Sequence, residues 1–170
     1  MSAVTKFPSA VGRLGRYGQT MRTLYEAVGG YEALLRLSYA WHRRCMADPV
    51  ASHPFSHPGQ HPQHSERLAA YWAEAFGGPT NFTDTMADES SVVRMHVGNG
   101  EHHELNEICI ALFAKAVEDA EMPEDTREPL VAYFRWATEE MMGEPRSKDS
   151  VPDGLPLPHW GLDGLHDPLT

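Results

Sequence analysis

The chain has 170 residues, a formal net charge of −10 at pH 7 and a sequence pI near 5.4. Binding to nucleic acid needs concentrated positive charge, so this balance argues against a nucleic-acid partner. The chain has no apolar run long enough to span a membrane, and its only cysteines are Cys45 and Cys109. We therefore expect a cytoplasmic protein with reduced thiols and a small or apolar ligand.

The distribution of apolar residues divides the chain into three parts. Residues 1–19 lack periodicity and are expected to form a mobile tail. Residues 20–142 carry helical patterns and are long enough for one domain with a single core. Residues 143–170 are rich in Pro, Gly and Asp, and we expect them to be extended and held on the domain by Trp160. No run predicts a β-strand, so the predicted fold class is all-α.

Two helices are predicted before residue 48. Thr23 and Glu26 are spaced as a capping box, which predicts a short helix that ends at Gly29–Gly30. Apolar residues then recur every three or four positions over residues 31–46, which predicts a helix with a buried stripe. This stripe consists of Leu34, Leu37, Trp41 and Cys45. His42 lies on its flank.

The segment at 49–62 reads PVASHPFSHPGQHP and contains three His-Pro pairs. Its histidines His53, His57 and His61 are four residues apart, a spacing that would place three metal ligands on one face of a helix. Proline removes a backbone donor and disfavours helical geometry in the residue before it, so we expect a loop. A zinc or copper site in that loop stays open as an alternative. Phe55 is the one large apolar residue of the loop.

The next helix is predicted from Pro62, which suits a first helical position, to the stop formed by Gly77–Gly78. Its apolar side begins with His64 and continues through Leu68, Tyr71, Trp72 and Ala75, all spaced for one face. His64 is therefore expected to point inward. An inward histidine is either a core residue or a functional group.

His96 ends a short predicted helix with the sequence ESSVVRMH. Asp88 or Ser90 is positioned to cap its start, and the glycines at 98 and 100 stop it. A histidine in this place is either a helix-end residue favoured by the helix dipole or a functional group. The preceding polar segment, TNFTDTMADES, is expected to be a loop anchored by Phe82.

Two long helices complete the predicted domain. Apolar faces place them at about 102–120 and at 124–142, separated by a turn at Met122–Pro123. Pro129 lies in the first turns of the last helix, where it either kinks the helix or makes residues 124–128 a separate turn.

This order of helices, together with several stretches of sequence, resembles the group II truncated haemoglobins. The stretches are LYEAVGG at 24–30, ADPV at 47–50, SERLAAYWAEAFGGP at 65–79, VVRMH at 92–96 and the Met122–Pro123 turn. The resemblance covers about residues 20–142. It implies a truncated globin fold, which is a two-over-two helical sandwich around haem b.

The resemblance assigns roles to residues already singled out. His96 falls on the proximal ligand of the haem iron, and His64 falls on the distal position. Phe55 falls on the aromatic residue at the haem edge, and Leu68 falls on the apolar residue one turn after His64. Imidazole is a good axial ligand for iron, so these residue types suit a haem site.

Two positions depart from the pattern of the family that the chain resembles. His42 stands where the family usually has tyrosine, and an ungapped count from His96 puts Cys109 where the family usually has tryptophan. We therefore expect a different distal network, in which either His64 or His42 hydrogen-bonds the gas ligand or binds the iron itself. Arg94 or the loop histidines are the candidates for pairing with the haem propionates.

Three functions remain to be compared. The first is reversible binding of a diatomic gas, such as oxygen or nitric oxide, at haem iron. The second is an enzyme of the same fold, with peroxidase-like or nitric oxide dioxygenase chemistry and an unknown reductase. The third is a zinc or copper protein that uses the histidine-rich loop.

Overall fold

The computed structural model describes residues 21–56, 58–98, 102–142 and 147–166, except for the side chain of residue 142. The helices in these ranges are α1 (Leu24–Val28), α2 (Tyr31–Ala47), α3 (His64–Ala75), α4 (Asn81–Thr85), α5 (Glu89–His96), α6 (His103–Asp119) and α7 (Glu124–Met142). The strands are β1 (His159–Gly161) and β2 (Gly164–His166), and short 3-10 turns cover His53–Phe55 and Lys148–Ser150. The predicted helical class is confirmed. The predicted tail at 1–19 lies outside the described residues.

The first two helices begin and end where their capping signals place them. Thr23 accepts a hydrogen bond from the Glu26 amide at 3.1 Å, and the Glu26 carboxylate accepts one from the Thr23 amide at 2.9 Å. Gly29 ends α1 with a φ of 99°, in the left-handed region that glycine enters at little cost. Helix α2 ends at Ala47, two residues before Pro49, as predicted.

The core joins α2, α3, α6 and α7. Helix α2 packs against α3 and α6, and α6 packs against α7. The Phe113 ring of α6 stacks on Phe134 of α7 with centroids 4.1 Å apart, and Trp72 of α3 makes a T-shaped contact with Phe113 at 5.6 Å. Trp41 of α2 contacts Phe134 at 5.1 Å. Full burial of one such side chain contributes about 1.5–3 kcal/mol, so this cluster stabilises the packing of all four helices.

Helix α3 begins at His64, two residues after Pro62, which corrects the predicted start. His61 forms a turn before the helix. Its carbonyl accepts from the His64 amide at 3.0 Å, and its Nδ1 accepts from the Gln63 amide at 3.1 Å. A local side-chain bond of this kind competes with helical geometry, so Pro62 lies in the turn and His64 is the first residue of α3.

Helix α3 stops at the predicted glycine pair. Gly77 has a φ of 89°, and the Gly78 amide donates to the Ala73 carbonyl at 2.8 Å. A Cβ on Gly78 would lie 2.7 Å from both the Ala73 carbonyl oxygen and the ring of Tyr25. Tyr25 belongs to α1, and its amide donates to the Phe76 carbonyl at 2.9 Å. The end of α3 is therefore closely packed against α1.

Residues 81–85 form the short helix α4, so the expectation of a loop here was wrong. Phe82 is buried, as predicted for an anchor, and its ring contacts Tyr71 of α3 at 5.2 Å. Thr83 donates through its amide and its hydroxyl to the buried carboxylate of Glu74. These bonds to another helix hold a segment whose own sequence has no helical period, so local pattern could not reveal it.

The remaining helices agree with their predicted bounds to within one residue. Asp88 caps α5 by accepting from the Ser91 amide at 2.7 Å. Pro129 lies inside α7, which continues as one helix, so residues 124–128 are not a separate turn. None of the helices that the structure describes combines the length and the hydropathy that crossing a membrane requires.

The C-terminal extension, residues 147–166, ends in an antiparallel hairpin of β1 and β2. This hairpin corrects the expectation that no strand forms. Its strands have three residues each, too few to show an alternating pattern, and the residues between them are Leu162 and Asp163. The Trp160 ring lies 5.8 Å from Tyr133 and 5.4 Å from Trp136 of α7, so Trp160 does pack on the domain.

A buried hydrogen bond ties α5 to α3. The Tyr71 hydroxyl donates to Oε2 of Glu89 at 2.9 Å, and both side chains are buried. Burial raises the pKa of Glu89 to about 7, although the bond from Tyr71 favours the carboxylate. The folded chain therefore favours the protonated carboxyl group below neutral pH.

Replacement of Glu89 by Gln is expected to change how stability depends on pH. Because the folded-state pKa of about 7 lies above the ordinary value of 4.5, the contribution of Glu89 is fully present below pH 4.5 and is lost as the pH rises through 7. Between these limits the native chain should lose about 1–3 kcal/mol of unfolding free energy that the Glu89→Gln variant keeps. Urea unfolding in acid and in mild alkali measures the difference.

Glu104→Gln, at the exposed start of α6, is the control for replacing a carboxylate with an amide. If the stability of the native chain and that of Glu89→Gln fall equally as the pH rises, the raised pKa of Glu89 is not the cause of the loss.

Candidate functional site

Three rings meet where α2, the turn at His53–Phe55 and α3 come together. The ring centroids of His42 and Phe55 are 5.1 Å apart, and those of Phe55 and His64 are 5.6 Å apart. His42 and His64 are 6.1 Å apart. The structure thus brings three of the predicted site residues together, and we refer to His42, Phe55 and His64 as the three-ring cluster.

Hydrogen bonds within the chain place these rings. The Ser38 hydroxyl of α2 donates to the Ser65 carbonyl at 2.9 Å in a buried position, which fixes the start of α3 beside α2. The Asp48 carboxylate accepts from two backbone amides of the following loop at 2.8 and 2.9 Å, which shapes the loop that carries Phe55. The positions of His64 and Phe55 therefore follow from bonds made by their neighbours.

Nε2 of His64 is buried and has no hydrogen-bond partner within the described part of the chain. Burial lowers the pKa of His64 to about 4, and the nearby imidazoles of His42 and His96 add to this effect. The ring is therefore neutral at pH 7, with one N–H and one lone pair. A buried polar atom without a partner costs about 1–3 kcal/mol, so a ligand that supplies the partner recovers that cost.

His96 is the last residue of α5, and its Nδ1 lies 2.8 Å from the Val92 carbonyl oxygen. A carbonyl can only accept, so this bond requires the proton on Nδ1 and puts the ring lone pair on Nε2. Such a bond orients an imidazole and raises the basicity of its other nitrogen. The charge of His96 is also one of the smaller causes of the lowered pKa of His64, after burial and His42.

The wall beside the three-ring cluster includes Trp41 and Cys109. The Trp41 ring contacts Phe55 at 5.7 Å, and its Nε1 donates to the Cys109 carbonyl at 3.3 Å. Cys109 is half-buried, and its thiol together with burial raises the pKa of Cys45. The two thiols are not joined in a disulfide. Cys109 stands where the resembled family usually has tryptophan. Here a tryptophan indole does lie beside this position, but it belongs to Trp41 of α2.

Leu68 lies one turn after His64 and packs, half-buried, against the core. Two further side chains were not predicted. Oδ1 of Asn106 and Nε2 of Gln60 are buried without hydrogen-bond partners among the described residues. Asn106 precedes Cys109 by three positions on α6, so both share one helical face. A polar residue within the apolar face of α6 was the available signal for Asn106, and the sequence offers no comparable signal for Gln60.

Arg94 lies two residues before His96 but on a different face of α5, because two residues turn a helix by about 200°. Its guanidinium donates to the Val151 carbonyl at 2.9 Å and pairs with Asp153 at 2.5 Å. The structure therefore brings Arg94 to the C-terminal extension and not to the three-ring cluster. The pairing of Arg94 with haem propionates stays a prediction.

The histidine-rich loop forms no metal centre in the ranges that the structure describes. No group of three His, Cys, Asp or Glu side chains is placed there to hold a metal ion. His61 uses its Nδ1 to accept from the Gln63 amide. His57 lies outside the described residues. The zinc or copper alternative thus gains no support from His53 and His61.

The residues present fit a haem. His96 has an imidazole that a backbone carbonyl orients, and His64 has a neutral imidazole with a buried, unpartnered Nε2. Phe55 and Leu68 add apolar side chains next to His64. Imidazole nitrogen and an apolar, aromatic lining are the donor and the surface that a haem takes.

Solved structures with a similar fold are bacterial haemoglobins. That of Chloroflexus aurantiacus matches with a TM-score of 0.63 and 23% identity, covering 73% of this chain and 100% of that chain. A thermostable haemoglobin from Thermobifida fusca gives 0.59 and 25% identity, covering 74% and 100%. The group II truncated haemoglobin of Bacillus anthracis gives 0.65 and 16% identity, covering 76% and 97%. No curated protein sequence gives a significant match.

The likeness to the Bacillus anthracis protein confirms the predicted truncated, two-over-two globin fold. The sequence profile described as bacterial-like globin matches residues 23–142. Globins of this kind imply a haem cofactor and a diatomic gas ligand. Because the profile spans most of its length, the chain belongs to the bacterial-like globin family.

Proposed function

We propose that this chain is a haem b protein that reversibly binds a diatomic gas, oxygen or nitric oxide, with His96 as proximal ligand and His64 on the distal side. The observation that carries the proposal is the buried, unpartnered Nε2 of His64 in the three-ring cluster. Membership of the globin family supports the same function in coarser terms. When bound, haem supplies an iron centre at which a diatomic gas can coordinate reversibly.

His96 is proposed to hold the haem through Nε2. The bond between its Nδ1–H and the Val92 carbonyl fixes which nitrogen carries the lone pair and which way the ring turns. Both groups belong to α5, so the orientation of the imidazole follows the position of that helix. Displacement of α5 would therefore move the imidazole of His96 together with the groups that surround it.

His64 is proposed as the principal distal residue, with His42 beside it. Because the His64 ring is neutral, it can donate one hydrogen bond to a gas ligand or direct its lone pair to the iron.

The pKa of His64, about 4, makes it a weak group for proton transfer near neutral pH, because acid–base catalysis works best when the pKa lies close to the working pH. This favours gas binding over peroxidase-like chemistry. No contact among the described residues favours nitric oxide dioxygenase chemistry with an unknown reductase.

We also propose a cytoplasmic location and a globin domain at residues 20–142. The low cysteine count supports the location, because two cysteines in 170 residues do not make the disulfide framework that is common in secreted proteins. The family match at 23–142 supports the domain boundaries.

Purified with adequate haem, the native protein should be red, with an intense Soret band and the pyridine haemochrome spectrum of haem b. His96→Leu should lose stable haem retention, or keep haem only through a distal histidine, because the iron loses its protein ligand on that side. Absorption spectra taken after gel filtration measure retention. His159→Leu, at an exposed histidine of β1, is the matched control and should retain haem.

A colourless native protein would refute the proposed function. Full and spectrally unchanged haem binding by His96→Leu would show instead that the proximal assignment is wrong.

His64→Leu and His42→Leu separate the two distal candidates. If His64 donates a hydrogen bond to the gas, its removal should cost about 1–1.5 kcal/mol, which is roughly tenfold faster release. If His64 ligates the iron, the native resting spectrum should be six-coordinate, and His64→Leu should make it five-coordinate and speed association. Stopped-flow mixing and the resting spectrum distinguish these results. A change in His42→Leu with none in His64→Leu would transfer the distal role to His42.

A further inference from the structure

The C-terminal extension holds α5 at two points on one face. The Ser90 hydroxyl oxygen accepts a hydrogen bond from the Leu155 amide at 3.1 Å. One turn later, the Arg94 guanidinium donates to the Val151 carbonyl at 2.9 Å and pairs with Asp153. Residues four positions apart lie one above the other on a helix, so the extension runs along a single side of α5.

The extension is itself anchored on the core. Val151 and Leu157 are buried, and the Trp160 ring lies 5.8 Å from Tyr133 and 5.4 Å from Trp136 of α7. Burial of apolar side chains opposes the fraying that is usual near chain ends. The extension therefore has a fixed place from which it can hold a neighbouring helix.

Helix α5 depends on such outside contacts. It has eight residues, and an isolated helix of this length is not stable in water. Its buried side chains are Glu89, Ser90 and Val92. The hydrogen bond from Tyr71 to Glu89 holds the first turn of α5. The bonds of the extension to Ser90 and Arg94 hold the face of α5 on which these two residues lie.

His96 lies on the side of α5 away from the extension. The helix turns by about 200° between Arg94 and His96, and by the same angle between Ser90 and Val92. Val92 and His96 therefore share the opposite side, where the Val92 carbonyl accepts from Nδ1 of His96 at 2.8 Å. Contacts on one side of α5 thus determine where the imidazole on the other side stands.

We infer that residues 147–166 are a positioning element that holds α5 against the core and thereby orients the imidazole of His96. Arg94 and Ser90 are positioning residues in this arrangement, since they act on His96 through the helix. The role of His96 toward haem rests on the proposed function, whereas the contact between the extension and α5 does not. The family match ends at residue 142, so this support is added to the matched globin region.

Hydrogen exchange of the α5 amides in the full-length chain tests the inference. Arg94→Leu removes bonds to the extension, and Trp160→Ala loosens the extension without changing any residue of α5. Both variants should exchange their α5 amides about fivefold to tenfold faster, while the amides of α2 and α6 keep native rates. The matched control is Arg135→Leu, which removes an ion pair with Glu107 at 2.9 Å and should leave α5 unchanged.

A second measurement follows His96 itself. In the haem-loaded ferrous protein, the iron–histidine stretching frequency in resonance Raman spectra should shift in Arg94→Leu and Trp160→Ala but not in Arg135→Leu. Native α5 exchange in both variants overturns the inference, and so does faster exchange with an unchanged stretching frequency. A chain that takes up no haem overturns the proposed function instead. In that haem-free chain, the exchange rates of the α5 amides in the two variants still test whether the extension holds α5.

Discussion

Aromatic packing at the centre of α2, α3, α6 and α7 is the constraint on which the rest of the structure depends. Phe113 and Phe134 stack there, and Trp41 lies 5.1 Å from Phe134 and 5.7 Å from Phe55 by ring centroids. The core therefore continues without a break into the three-ring cluster. Because close-packed interiors transmit displacement, a loss of packing at Phe134 would reach His64 through Trp41 and Phe55.

The two histidines of the proposed haem site are held in different ways. His64 begins a helix whose later turns are buried in the core, so packing sets its position. His96 ends a helix with few buried side chains, and separate polar contacts set its position: the Tyr71–Glu89 bond at the start of α5 and the bonds of the extension behind it. Elements held by few contacts open most readily. The proximal half of the site is therefore the more adjustable one.

Periodicity and capping signals were enough to predict the four long helices, because each of them buries its own regularly spaced apolar face. They failed where a segment depends on distant partners. Helix α4 needs the carboxylate of Glu74, and the hairpin needs the rings of α7. Helical spacing and the family resemblance pointed to His64 and His96. A polar residue within the apolar face of α6 also marked Asn106, whose Oδ1 is buried, whereas the partners of Arg94 emerge only from neighbours in space.

The glycine pair at the end of α3 limits how this sequence can change over evolution. The Tyr25 ring lies so close to Gly78 that a Cβ there would be 2.7 Å from the ring and 2.7 Å from the Ala73 carbonyl oxygen. A backbone carbonyl cannot swing aside as the end of a long side chain can. A side chain at position 78 would therefore require both a smaller residue at 25 and a different helix end. In related chains, an aromatic residue at 25 and a glycine at 78 should be inherited together and lost together.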